Sequence, residues 1–162
     1  MFAALRPTAS RIVARSALAG RRTYADVADG ALKLSLVLPH QGIYTSASVT
    51  QVNIPAATGD MGILANHVAS IEALRPGLVE IIETSGTKKY FVSAGFATVH
   101  GNNTLTINAV EAYEMDSFSP EAVRSGLADA QRVLSSSASE TDKAEAQIEV
   151  DVFEALQAAM AK

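Results

Sequence analysis

Between residues 31 and 110 the apolar residues recur at every second position in short runs. Leu32, Leu34, Leu36 and Leu38 alternate with Lys33, Ser35 and Val37, the pattern of a strand with one buried face, and Pro39 ends it. Val52 and Ile54 alternate with Gln51 and Asn53, and Pro55 closes that run. Leu78 to Glu83 and Lys89 to Ser93 flank a Ser85-Gly86-Thr87 turn, which predicts a hairpin. Phe96 to His100 and Thr104 to Asn108 flank Gly101-Asn102-Asn103, a second hairpin in which Leu105 and Ile107 share one face. Turn signals at this spacing predict about eight to ten short strands in an antiparallel β-sandwich.

The period then changes from two to about 3.6. Ser119-Pro120-Glu121 is a helix start, with a capping hydroxyl, a proline in the first turn and an acid near the positive end of the dipole. Val123, Leu127, Ala130 and Leu134 follow at helical spacing until Ser135-Ser136-Ser137 breaks the run. Ser139 and Asp142 resemble a capping box. Behind them Ala144, Ile148, Val152, Leu156 and Ala159 form a second stripe. The fold class is β + α, a sandwich followed by an antiparallel two-helix hairpin. The stripes are alanine-rich, so they bury little area at about 25 cal/mol per Å², and the hairpin needs the sandwich or a partner to hold it.

Charge adds a third segment. Arg6, Arg11, Arg15, Arg21 and Arg22 all precede the first acid, Asp26, and the remaining eight basic residues face all 17 acidic ones, a net of −9. Residues 1–24 are rich in Arg, Ala and Ser, with Phe2, Leu5, Ile12, Val13 and Leu18 loosely on one face. This is the composition of a mitochondrial transit peptide, whose cationic helix is drawn to anionic surfaces and an inside-negative potential. Arg22-Thr23-Tyr24 reads as the processing site. The expected organisation is a transit peptide over 1–24, a leader over 25–31, a sandwich over 32–116 and a helical hairpin over 117–162.

The side-chain inventory gives no reason to expect an enzyme. With no cysteine, disulfides, thiolate metal sites and cysteine nucleophiles are excluded. His40, His67 and His100 match no local zinc spacing. No nucleophile elbow, HExxH or phosphate loop occurs, and Gly59-Asp60-Met61-Gly62 reads as a glycine-flanked turn. Glu111, Glu114, Asp116 and Glu121 read as a solvated acidic linker before a metal or acid–base cluster. Basic residues after the leader are too few for a nucleic-acid surface, and no run of 18 apolar residues could span a bilayer as a helix. No cofactor is expected.

Three stretches carry a resemblance. Gly59-Asp60-Met61-Gly62-Ile63-Leu64-Ala65-Asn66-His67, with Leu74-Arg75-Pro76-Gly77 after it, resembles the signature of the delta/epsilon family of F-type ATP synthases. Tyr90 to Val99, through Gly95-Phe96, is similar to that family's strand-Gly-Phe-strand element, and Ala109-Val110-Glu111-Ala112 to its exit from the sandwich. Two departures stand out. Ala69 and Ser70 replace the family's frequent Pro-Leu, and Glu121-Ala122-Val123-Arg124-Ser125 departs from the acid-x-x-Arg-Ala motif of ATP-binding bacterial members, so nucleotide binding is not predicted.

The resemblance, to the mitochondrial branch above all, implies a non-catalytic rotor subunit in the central stalk, linking the gamma subunit to the membrane c-ring. The hairpin would be held by the small mitochondrial epsilon subunit, and no homo-oligomer is expected. The implied location is the matrix side of the mitochondrial inner membrane. Carried over by position, Asp60, Met61, Gly62, Ile63, Asn66 and His67 form a loop facing the ring and gamma, with Asp60 set to pair with a basic residue of the ring. The alternative is a free-standing sandwich that binds a small ligand or peptide.

Overall fold

The computed structural model describes residues 31–161; the expected transit peptide, and all of the leader but its last residue, lie outside the described residues. Ten strands precede two helices. They are β1 (Leu32–Val37), β2 (Gly42–Val49), β3 (Gln51–Ala56), β4 (Gly59–Leu64), β5 (Ser70–Leu74), β6 (Gly77–Glu83), β7 (Gly86–Val92), β8 (Gly95–His100), β9 (Thr104–Ala109) and β10 (Ala112–Glu114). A single 3₁₀ turn over Met115–Ser117 leads into α1 (Pro120–Ser135) and α2 (Glu140–Met160).

The strands run in the order β10-β7-β6-β3-β5-β8-β9-β1-β2, with β4 added to β3. The sheet folds over where β3 meets β5 through the single pair Ala56–Leu74. That fold makes two facing layers, β4-β3-β6-β7-β10 and β5-β8-β9-β1-β2. Pairing is antiparallel throughout except that β1 lies parallel to β9, so the expected antiparallel sandwich holds with one parallel seam. Parallel neighbours need a long connection, and here it is the whole chain between β1 and β9.

The inward positions of the alternation fill one core. Leu34, Leu36, Val52, Ile63, Val79, Ile81, Val92, Leu105 and Ile107 are all fully buried in it. Two sequence readings need correction. Pro55 does not end β3: it pairs opposite Asp60 of β4. Its missing N–H is tolerated because β6 pairs β3 only as far as Asn53. Gly59 to Leu64 is a strand, not a turn; the reversal is made by Ala57 and Thr58, between the paired Ala56 and Gly59.

At the open edge of the core, Tyr44 and Tyr90 meet edge to face with ring centroids 6.1 Å apart. Their hydroxyls donate to Glu83 Oε1 at 3.0 Å and to Glu114 Oε1 at 3.1 Å. Burial first, and then the carboxylate acceptors, push both phenols up to about 12 from the ordinary 10. The neutral phenol is thus favoured by folding. Its contribution is complete below pH 10 and is lost as pH rises through the folded value near 12. Denaturant midpoints should therefore fall steeply over that alkaline window, and Tyr44→Phe/Tyr90→Phe should flatten the fall; an unchanged slope in the double variant would refute the assignment.

The hairpin is capped as the sequence implies. Ser119 accepts from the Ala122 N–H, and Ser139 and Asp142 form a reciprocal capping box. The face of α2 is the expected one in its second half, where Val152 packs against Leu156 and Ala159, and departs from it in the first. Ala146, Val150, Leu156 and Ala159 are buried, whereas Ile148 is 64% exposed and Ala144 is also outside. The reason lies on α1, where Gly126 leaves room for Phe153: a Cβ at Gly126 would stand 2.4 Å from the Phe153 ring. That contact sets the rotation of α2 and draws the 146–150–153 row inward.

Candidate functional site

The residues assigned by resemblance do not form a single loop. Asp60 to Ile63 lie on β4, an edge strand whose described pairing is to β3 alone. Along a strand successive side chains point to opposite faces, which splits the group. Ile63 is fully buried and Met61 packs partly against the same core, so these two point inward and not toward a neighbour. Asp60 and Gly62 face outward with Leu64.

Asp60 has a partner within the chain. Arg75 Nη2 donates to Asp60 Oδ1 at 2.5 Å, with both side chains about half exposed. The anticipated pairing with a basic residue elsewhere would have to compete with this one. An exposed pair of this kind contributes about 0–1 kcal/mol. Asp60→Ala should accordingly shift the unfolding free energy by no more than about 1 kcal/mol. A larger shift in urea unfolding of Asp60→Ala would contradict this.

Asn66 and His67 do sit in a turn, between β4 and β5. Asn66 adopts a left-handed backbone with φ 64°, which asparagine tolerates better than most residues. The His67 N–H closes the turn onto Leu64 O at 3.3 Å, and His67 Nδ1 lies 2.8 Å from Val68 O. The flanking apolar side chains are outside: Leu64 is 49% and Val68 75% exposed. This end of the sandwich thus presents two aliphatic side chains around a polar turn.

A second surface was not anticipated. On the outer face of the β5-β8-β9-β1 layer, Ile71 and Phe96 are 72% and 58% exposed. Register sets Ala73 opposite Phe96, Thr98 opposite both Ile71 and Thr106, and Asn108 opposite Phe96. Further along, Ser35 and Val37 of β1 pair with Thr106 and Asn108. Lys33 is the one full charge among the outward residues of β1, β5, β8 and β9. Such a face loses little on desolvation and exposes more apolar area than an isolated sheet needs. The signal was present in Gly95-Phe96, but Ile71 lay in a segment whose alternation is too short to read.

A third surface is the cleft where the hairpin leaves the sandwich. It encloses about 560 Å³ and is lined chiefly by Phe91, Tyr113, Phe118, Val123, Val152 and Phe153. Phe118 stands edge-on between Phe91 and Tyr113, at 5.8 and 6.2 Å. The acidic residues nearby are engaged as acceptors: Glu111 takes the Tyr113 hydroxyl at 3.0 Å and Glu114 that of Tyr90. The Glu111 bond raises the Tyr113 phenol above its ordinary value. Among the described residues, no group of three or more His, Asp or Glu could hold a metal ion.

Comparison with known proteins matches both halves of the chain. Residues 31–115 fit the profile of the ATP synthase delta/epsilon chain β-sandwich domain, and residues 118–158 that of the C-terminal domain of the fungal F1F0-ATP synthase epsilon subunit. Mitochondrial ATP synthase subunit delta of Agaricus bisporus is 61% identical over 142 residues, 88% of this chain and 87% of that one. The subunit of the same name in Kluyveromyces lactis is 55% identical over 157 residues, 96% and 98% of the two chains. Among solved structures, a chain of the Euglena gracilis mitochondrial ATP synthase, OSCP/F1/c-ring, superposes with TM-score 0.77 at 29% identity, covering 81% of this chain and 82% of that one. A chain of the Tetrahymena thermophila central stalk/c-ring assembly shares the fold, with TM-score 0.64 at 17% identity over 80% of this chain and 96% of that one.

Proposed function

The chain belongs to the ATP synthase delta/epsilon family, and from that premise we propose that it meets its neighbours through three separate surfaces. It is a non-catalytic central-stalk subunit of the mitochondrial F-type ATP synthase, on the matrix side of the inner membrane. The free-standing binding module is therefore set aside. Its work is mechanical: rotation must pass through it with little loss, and a close-packed interior transmits strain.

The end carrying Leu64, Asn66, His67 and Val68 meets the membrane c-ring. The outer face with Ile71 and Phe96, whose one full charge is Lys33, lies against the gamma subunit. The aromatic cleft between sandwich and hairpin receives the small epsilon subunit, which adds the apolar contact that the alanine-rich helices lack. The observation that carries this reading is the grouping of Leu64, Val68, Ile71 and Phe96, all about half or more exposed, on one end and one adjoining face. Apolar side chains so grouped are characteristic of surfaces that a partner covers.

Single cysteines at Val68 and Thr98, in a chain that has none of its own, test the assignment in the intact complex with a short bifunctional reagent. Val68→Cys should bridge to the ring subunit and Thr98→Cys to gamma. Exchanged partners, or no product from either, would overturn it.

A further inference from the structure

At the end of the sandwich assigned to the ring, two loops are tied together by one residue. Asn103, in the β8–β9 hairpin, has φ 59°, and Asn66, in the β4–β5 turn, has φ 64°. The Asn66 N–H donates to Asn103 Oδ1 at 2.6 Å, across a sequence separation of 37 residues. The backbone carbonyl of Asn103 accepts from the Lys33 N–H at 2.8 Å. One half-buried asparagine thus links the start of β1, the β8–β9 hairpin and the β4–β5 turn. By contrast, the other bonds described for the turn, His67 N–H to Leu64 O and the His67 ring to Val68 O, are local and do not fix the turn relative to its neighbours.

We propose that Asn103 is a positioning residue for rotary coupling: its side-chain carbonyl holds the β4–β5 turn against the β8–β9 hairpin, so that both loops meet the ring as one surface. This rests on the reading that this end faces the ring. An untied turn between two strands would yield under load, and rotation would be spent in bending it instead of turning the stalk. Asparagine suits the position because it accepts the left-handed backbone of the hairpin while its side chain reaches across.

The test separates backbone from side chain. Asn103→Gly keeps the left-handed conformation and removes the acceptor; Asn103→Asp keeps both. In purified, reconstituted complex, amide exchange of residues 64–69 and protons pumped per ATP hydrolysed are read together. Asn103→Gly should speed exchange about fivefold, the factor one net hydrogen bond corresponds to, and lower the pumping ratio at unchanged subunit content; Asn103→Asp should restore both. Unchanged exchange in Asn103→Gly would overturn the lock. Faster exchange with a normal pumping ratio, where Val68→Cys still bridges to the ring, would overturn its role in coupling. If Val68→Cys does not reach the ring, it is the ring-facing assignment that fails, and this inference falls with it.

Discussion

Gly95→Ala is expected to destabilise the sandwich by about 3 kcal/mol or more, a large share of the 5–15 kcal/mol typical of a domain. Gly95 has φ 152°, and a Cβ there would lie 2.2 Å from Asn108 O and 2.9 Å from Ala109 Cα. Both atoms are backbone of the neighbouring strand, so no side-chain rotation relieves the clash. Gly95 also pairs with Leu74 on its other side, and Leu74 is the residue through which β3 joins β5. Moving β8 away from β9 would therefore strain the corner at which the two layers join. Gly59 supplies the control. Its φ is 138°, with open space around the missing Cβ, so Gly59→Ala isolates backbone strain. Urea unfolding of the three proteins should give a far larger midpoint shift for Gly95→Ala, and equal shifts would refute the close-approach argument.

Phe91→Ala is expected to release the helical hairpin while the sandwich stays folded. Phe91 is 4% exposed and belongs to a second, smaller core with Val123, Leu156 and Ala159, padded by Leu78, Met115 and Phe118. No helix residue is among the buried residues of the main core. Truncating a buried phenylalanine costs about 3–5 kcal/mol, and here the loss falls on the seam between strands and helices. That seam has little in reserve, because among the described residues Val123, Leu156 and Ala159 are the only helix residues fully buried in it. Limited proteolysis should show rapid cleavage within residues 119–160 and continued protection of 32–114. Loss of protection in both together would mean that the two cores form one cooperative unit. In the assembled complex the small subunit proposed for the aromatic cleft should restore protection in part, by mass action on the docked state.

Which parts of this molecule could be read in advance follows from the range of the forces involved. Strands such as β1 and β9 were legible because alternation is a local consequence of one face being buried, and the helix starts because Ser119 and Ser139 cap within three residues of themselves. The family signature was legible too, although it assigned a loop where there is a strand. Gly59 to Leu64 carries two glycines and an aspartate, which by local preference signal a turn. Only pairing with all six residues of β3 makes it extended.

Periodicity along the chain sets its two halves, their order and the inward residues of strands such as β1 and β9, since it needs no knowledge of what lies opposite. Tertiary structure alone decided what depends on an opposing partner. It set β1 parallel to β9, turned Ile148 out by seating Phe153 over Gly126, closed Asp60 onto Arg75, and joined Asn66 to Asn103. Each of those contacts joins residues 15 or more positions apart, and no local preference of either residue encodes the meeting.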